Sequence, residues 1–297
     1  ALTTGDRNTA IGYNALTANT TGYYNTATGA NVLKGNTTGN LNVAMGESSL
    51  DANTTGDQNV AIGTYSLTSN TTAGGNTAIG TYASYYNTTG SQNVGVGFQS
   101  LWFNTTGRKN VGIGYQSLYG ADGSSSNDNT ALGYKTGYAI TSGTDNVAVG
   151  SEALAANTTG GDNNAIGSAA LEANTTGDDN NAMGSDALVA NTTGTMNVAI
   201  GSDALAANTT ASYNIAIGDA SLSANTTGTR NIAIGRNALD APDTENDNLA
   251  IGYDALGAAI AGGEFNVAIG NYSLDALTSG DKNTGVGYNA LTGVTSG

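Results

Sequence analysis

The chain has 297 residues, among them 44 glycines, one proline and one tryptophan, and it contains neither cysteine nor histidine. Such a composition excludes a disulfide framework and thiolate metal sites, and it offers no conventional hydrophobic core. The formal net charge of −15 disfavours nucleic acid and anionic lipid as partners. All apolar runs are too short to span a bilayer, so the sequence predicts no membrane insertion by this segment.

A repeat of 17 residues organises the sequence. Its first residue, which we number place one, is an asparagine, and regular copies read Asn-Val-Ala-Ile-Gly from that place. The leading asparagines of the 17 copies are Asn8, Asn25, Asn42, Asn59, Asn76, Asn93, Asn110, Asn129, Asn146, Asn163, Asn180, Asn197, Asn214, Asn231, Asn248, Asn266 and Asn283. A short fixed period indicates one small unit stacked on copies of itself, and we expect a single array over residues 1–297.

Several places of the repeat hardly vary along the chain. Place three is always Ala or Gly, place five is always Gly, place four is aliphatic in all copies but one, and place nine is Leu except at Ser84 and Gly137. Places twelve to fourteen read Asn-Thr-Thr in eleven copies. In one regular copy the residues expected to be structural are Asn197, Ile200, Gly201 and Leu205.

The repeat is too short for a pair of helices, and glycine with Val, Ile and Thr favours extended structure. We expect two short strands per repeat, the first over places two to four and the second around places eight and nine. Stacked in register, the repeats predict an all-β parallel β-roll, or β-solenoid, of 17 coils.

The first predicted strand is apolar on both faces. Alternate side chains point to opposite faces of a strand, and one coil can cover only the inner face. A second copy of the chain would most simply cover the other face, so the sequence predicts a homo-oligomer around a common axis.

The run Asn-Val-Ala-Ile-Gly followed by Ala-Leu or Ser-Leu, as at 59–67, 146–154 and 197–205, resembles the head repeat of YadA-like trimeric autotransporter adhesins. It is also similar to repeat regions of bacterial and phage tail-fibre-type proteins. The resemblance implies a left-handed roll, a homotrimer and a role in adhesion at the bacterial cell surface. The Asn-Thr-Thr-Gly turn is longer than in that family, and neck, stalk and anchor are absent from this sequence. We therefore expect a fragment of a longer fibrous protein.

Two turns are longer than the repeat requires, near 120–128 and 257–265. Such insertions can bulge from a turn without disturbing the stack, so they are candidate recognition sites. Replication slippage tolerated at the surface is the alternative.

Aromatic residues concentrate in the first half of the chain, at places ten and eleven of four successive repeats. A cluster of this kind predicts a surface that binds sugar rings or an apolar partner, unless the rings simply stack and cover the coils. The candidate binding residues are Tyr85, Tyr86, Trp102, Phe103, Tyr119 and Tyr138.

Acidic residues crowd one turn beside Pro242. Asp243, Glu245 and Asp247 are candidate calcium ligands, but the turn lacks the glycine of an EF-hand loop, and a solvated acidic turn is the favoured interpretation. The eleven Asn-Thr-Thr triplets match the glycosylation sequon; we interpret them instead as asparagines that bond the backbone of each turn. No cofactor is expected.

Catalysis finds no support in the sequence. Without His or Cys, a Ser or Thr nucleophile would need one of the four lysines as its base, and these lie at unrelated places of the repeat. We therefore predict a non-enzymatic, extracellular adhesin or fibre segment whose partners are itself and a surface glycan or protein receptor. The alternatives are a purely structural filament or phage fibre shaft, and an ice-binding solenoid, which the consecutive threonines disfavour.

Overall fold

The computed structural model describes residues 5–241, 244–258 and 263–296. Within these ranges the chain is an all-β parallel solenoid, has no helix, and forms one coil from each repeat. The coils belong to two compact units, Ala1–Asn146 and Val147–Gly297.

Each coil contributes one strand of three residues, at places two to four. The first unit contains β1 (Thr9–Ile11), β2 (Thr26–Thr28), β3 (Val43–Met45), β4 (Val60–Ile62), β5 (Thr77–Ile79), β6 (Val94–Val96), β7 (Val111–Ile113) and β8 (Thr130–Leu132). The second contains β9 (Val147–Val149), β10 (Asn164–Ile166), β11 (Asn181–Met183), β12 (Val198–Ile200), β13 (Ile215–Ile217), β14 (Ile232–Ile234), β15 (Leu249–Ile251), β16 (Val267–Ile269) and β17 (Thr284–Val286).

Neighbouring strands within each unit are parallel and paired one repeat apart. In the second unit Val198 lies opposite Ile215, and Ile200 lies opposite Ile217. Every place of the repeat therefore forms a column of like residues, and the predicted parallel solenoid is confirmed.

The second strand predicted for each repeat is wrong. Places six to nine form a turn in which the residues at places seven and nine have left-handed backbone, as at Asp203 (φ 54°) and Leu205 (φ 54°). Left-handed residues interrupt an extended chain. The turn still bonds the neighbouring coils: the Leu205 N–H donates to the Ser221 carbonyl at 3.0 Å, and the Asp203 N–H to the Ser185 carbonyl at 3.0 Å.

Small and aliphatic side chains fill the inside of each coil. Ala199 at place three, Ala204 at place eight and Leu205 at place nine are fully buried. Places two and four point outward: Ile200 is 39% exposed. The inner layer is therefore thin, and the bulkiest residues of the strand lie on its outer face.

Two columns of asparagine close the coils, one at place one in all 17 copies and one at place twelve in eleven of them. The Asn197 Nδ2, from place one, donates to the Ala211 carbonyl at 2.8 Å, and the Asn208 Nδ2, from place twelve, donates to the same carbonyl at 3.1 Å. Each side chain also bonds a neighbouring coil: the Asn214 N–H of the next coil donates to Asn197 Oδ1 at 3.0 Å, and Asn208 Nδ2 donates to Asn191 Oδ1 of the preceding coil at 2.8 Å.

The asparagines of the Asn-Thr-Thr triplets are therefore turn elements, as predicted. Their exposed fractions do not exceed 2%, so a glycan has no access to their amide nitrogens. The eleven residues are Asn19, Asn36, Asn53, Asn70, Asn87, Asn104, Asn157, Asn174, Asn191, Asn208 and Asn225.

The insertion near 120–128 interrupts the place-twelve column. The Thr105 N–H donates to the Ser124 carbonyl at 2.9 Å, which puts Ser124 at place thirteen and Gly123 where the next asparagine would lie. Asn104 Oδ1, like Asn87 Oδ1, is buried without a partner in the described part of the chain. The second insertion, near 257–265, lies partly outside the described residues, which omit 259–262.

The glycine at place five turns the chain out of each strand. Its φ lies between 120° and 144° in all 17 coils, a region that L-residues rarely adopt. A Cβ on Gly201 would lie 2.3 Å from the Gly218 carbonyl oxygen of the next coil. Backbone conformation and close stacking thus both require glycine here.

We predict that Gly201→Ala destabilises the second unit by about 3 kcal/mol, because strained backbone and a backbone clash act together. Thermal and chemical denaturation measure the loss. Ser202→Ala, at the neighbouring exposed residue, is the matched control and should change stability by less than about 0.5 kcal/mol. Equal stability of the two variants would contradict the assigned glycine role.

Candidate binding surface

The four place-ten aromatics form one stacked column in the first unit. Tyr85 and Trp102 have ring centroids 5.1 Å apart at 15°, Trp102 and Tyr119 are 6.2 Å apart at 2°, and Tyr119 and Tyr138 are 4.9 Å apart at 6°. Parallel stacking follows directly from the in-register columns, which place like residues one coil apart.

The place-eleven rings form a second, shorter column beside the first. Tyr86 and Phe103 stack at 5.1 Å and 7°. Their faces meet the edges of place-ten rings, with Tyr85 and Tyr86 at 4.7 Å and 83°. The structure thus brings all six sequence-predicted aromatic residues together.

Sequence reasoning missed five further rings of the same network. Place six contributes a stack in which Phe98 and Tyr115, and Tyr115 and Tyr134, are each 5.5 Å apart. A place-seven ring connects this stack to the place-ten column, since the ring centroid of Tyr82 lies 5.1 Å from that of Trp102 and 6.2 Å from that of Phe98. We call these eleven residues the aromatic ladder: Tyr65, Tyr82, Tyr85, Tyr86, Phe98, Trp102, Phe103, Tyr115, Tyr119, Tyr134 and Tyr138.

The missed rings had a detectable signal. Phe98, Tyr115 and Tyr134 occupy the same place in three successive repeats, as the place-ten rings do. Only the turn that bends places six and seven beside place ten, which the sequence did not reveal, makes the two sets neighbours.

The ladder exposes ring edges and hydroxyls more than ring faces. Stacking covers the faces of inner rings such as Trp102 and Tyr119, while Tyr115 and Tyr134 remain 45% and 46% exposed. Burial, together with the neighbouring tyrosines, raises the pKa of the Tyr119 phenol. Such a surface suits an apolar partner with hydrogen-bonding groups at its rim better than sugar rings stacked on aromatic faces.

The coils that carry the ladder have a depleted interior. Ser84 and Gly137 replace leucine at place nine, and Gly95 and Gly112 replace alanine at place three. A Cβ on Gly95 would lie only 2.8 Å from Ser84 Oγ, so the inner side chains have closed over the smaller residues. Part of the apolar packing of these coils has therefore moved to the outside.

A lysine lies at one end of the ladder. Lys135 Nζ lies 5.4 Å from the ring centroid of Tyr134 and 5.7 Å from that of Tyr138, which is cation–π distance. It is the one cation in contact with ladder rings in the described ranges.

The outer strand face is a second candidate surface. Along places two and four it presents large aliphatic side chains, with Ile217 and Ile234 each 36% exposed and Met183 50% exposed. Such residues recur from coil to coil at a spacing of about 4.8 Å, which makes a largely apolar face in each unit.

The acidic turn does not gather its candidate calcium ligands in the described residues. Asp243 lies outside them, and Glu245 accepts a bond from the Thr244 N–H at 3.0 Å. Asp247 accepts two bonds of 2.7 Å from Arg230, and these lower the pKa of its carboxyl. The described ranges contain no group of three or more acidic, His or Cys residues suited to a metal.

The threonine rows are divided between two roles. Thr209 Oγ1, at place thirteen, donates to the Thr226 carbonyl at 3.2 Å, whereas the place-fourteen threonines such as Thr210 are exposed. The two consecutive threonines therefore do not form one shared exposed face, which disfavours an ice-binding surface.

Comparison with known protein families and with curated proteins finds no match to this chain. In the described part of the structure, no helix has the length and hydropathy to cross a membrane.

We predict that Trp102→Ala destabilises the first unit by about 2 kcal/mol, since the indole stacks between two rings and meets others edge-on. Tyr213→Ala, an exposed tyrosine with a 56% exposed side chain, is the control and should cost less than about 0.5 kcal/mol. Chemical denaturation followed by tyrosine fluorescence measures both. Indistinguishable unfolding midpoints would show that the ladder does not stabilise its coils.

Proposed function

We propose that this chain is the head or shaft segment of an extracellular homotrimeric fibre that attaches to a surface or host through its aromatic ladder. The observation that carries the proposal is that a single chain leaves a largely aliphatic strand face uncovered. The ladder is a second apolar surface, at other places of the coil, that remains available for a partner.

The outer strand face supports assembly of identical chains. Ile200, Ile217 and Ile234, in three adjacent coils, are 39%, 36% and 36% exposed. Removing apolar surface from water contributes about 25 cal/mol per Å². The same face repeats in every copy, so several chains around one axis would cover one another's faces. The resemblance to YadA-like head repeats favours three chains and a left-handed roll.

The aromatic ladder supports attachment. It is confined to consecutive coils of the first unit, and its exposed edges and hydroxyls combine apolar contact with hydrogen bonding. Three chains would present three ladders, and simultaneous weak contacts strengthen binding to a surface. We propose a protein receptor with an apolar patch as partner, with a surface glycan as the alternative, on a bacterial cell surface or on a phage virion fibre.

One observation favours a second function, that of a purely structural shaft. The ladder covers the coils in which Ser84, Gly95, Gly112 and Gly137 thin the interior. In this alternative the rings replace lost core packing, and the binding tip of the fibre lies elsewhere.

We predict that the purified chain sediments with three times the mass of one chain. Ile200→Asp with Ile217→Asp should reduce it to monomers, because unpaired carboxylates cannot be buried between copies without a cost of several kcal/mol. Analytical ultracentrifugation measures the mass. The variant should keep its β-sheet circular dichroism, since both side chains lie outside the coil.

Asp203→Ser is the matched control, because Asp203 is exposed on the neighbouring turn. It should sediment as the parent chain does. A parent chain that is a stable monomer would refute the homotrimer.

We predict that Tyr115→Ser with Tyr134→Ser lowers retention of the trimer on an octyl-coated surface or glycan array about threefold or more, as multivalent contacts are lost. Serine is the residue of place six in other coils, such as Ser151 and Ser168. The control is Tyr13→Ser with Tyr213→Ser, which removes two exposed rings outside the ladder. Unchanged retention in the ladder variant would favour the structural shaft.

A further inference from the structure

Two adjacent amide side chains interrupt the apolar pattern of the outer strand face in the second unit. Asn164 and Asn181 occupy place two in adjacent coils, where the flanking coils carry Val147 and Val198. Both asparagines are exposed, and the Asn164 Nδ2 donates to Asn181 Oδ1 at 2.9 Å. They are the only amide side chains at place two in the 17 strands.

The pair lies in an apolar setting. A concavity of about 250 Å³ on this face is lined by the two asparagines together with Ile166, Met183, Val198 and Ile200. The bond between the asparagines does not use Asn164 Oδ1 or the protons of Asn181 Nδ2, and both side chains are exposed, so these atoms can bond groups outside the chain. Both a donor and an acceptor are therefore available on one small patch.

We propose that Asn164 and Asn181 form a polar layer between copies of this chain and set the axial register in which the copies assemble. This inference rests on the proposed homotrimer, and its occupant is a second copy of the same face. An amide has two donors and two acceptor lone pairs. When the copies are in register, the same asparagine from each copy lies at one level, and these side chains can bond one another around the axis.

The need for such a device follows from the repeat itself. The second unit has nine strands with nearly the same outer face. Sliding one copy by a single coil, about 4.8 Å, would leave most aliphatic contacts equivalent to those before. Apolar contacts alone therefore define the register poorly.

The asparagine pair removes that degeneracy. After a slip of one coil, one asparagine of each copy faces valine; after two, neither meets an amide. A buried amide without a partner is penalised, so only the matched register satisfies all of them. A single polar residue in an apolar interface specifies register in the same way in coiled coils.

A disulfide reports the register in solution. The chain has no cysteine, so Val198→Cys places a single thiol per copy at place two, one coil beyond Asn181. In the matched register the thiols of neighbouring copies face each other and should form disulfide-linked dimers on mild oxidation. In the background Asn164→Val with Asn181→Val, the yield should fall about threefold, as three neighbouring registers become equally populated.

A second experiment moves the polar layer. Chains with Asn164→Val, Asn181→Val, Val43→Asn and Val60→Asn, refolded with mass-tagged parent chains, should form mixed trimers about tenfold less often than random mixing gives, because amides would face valines at four levels. The matched control, Val43→Thr with Val60→Thr on the parent chain, should mix at random. Native mass spectrometry counts the species.

The outcomes separate this inference from the homotrimer. A parent chain that sediments as a monomer refutes the homotrimer and the register layer with it. If the parent is trimeric but its Val198→Cys variant forms no disulfide, or forms it in equal yield with and without the asparagines, the register layer alone is overturned. If the relocated variant does not fold, the disulfide yields decide by themselves.

Discussion

The fold depends on asparagine side chains, which occupy place one in all 17 coils and place twelve in eleven of them. Asn197 and Asn208 both donate to the Ala211 carbonyl, which closes the coil, and both bond their counterparts in neighbouring coils. A buried amide that loses its partner costs about 1–3 kcal/mol, so each coil is stable only beside others like it. Hydrogen bonding thereby supplies the cohesion that a thin interior of alanine and leucine cannot supply alone.

Closing so small a coil has consequences for its surface. Left-handed residues at places seven, nine and seventeen, and glycine at place five, let 17 residues complete one turn. The inside then holds mostly Ala, Leu and Ser, and the branched side chains of places two and four lie outside. Because the small coil has no room for them inside, the aliphatic side chains of places two and four form the outer face from which we infer assembly. On that face Asn164 and Asn181 form the polar layer that we propose sets the axial register between copies.

The aromatic ladder joins stability with the proposed attachment. Its rings stack because the columns are in register, and they lie on coils whose interiors are reduced at Ser84 and Gly137. Rings that stabilise a coil also keep their edges in fixed positions, which lowers the entropic cost of binding a partner. Substitutions in the ladder can distinguish stability from attachment. Removing the exposed place-six rings should affect mainly attachment, whereas removing the half-buried Trp102 should affect mainly stability.

Much of this protein follows from its sequence alone. The period determines the stacked coils, the parallel register and the columns, because identical residues at a fixed spacing can satisfy one another only when superimposed. The turn role of Asn208 and the grouping of Tyr85, Trp102, Tyr119 and Tyr138 follow from the same spacing. Only the tertiary structure decided that Ala199 faces inward and Ile200 outward, since both faces of a three-residue apolar strand look buried in sequence. It alone also replaced the second strand by a left-handed turn and brought Tyr82 beside Trp102. Backbone conformations such as that of Leu205 are imposed by coil closure and the asparagine bonds, not by the preference of the residue itself.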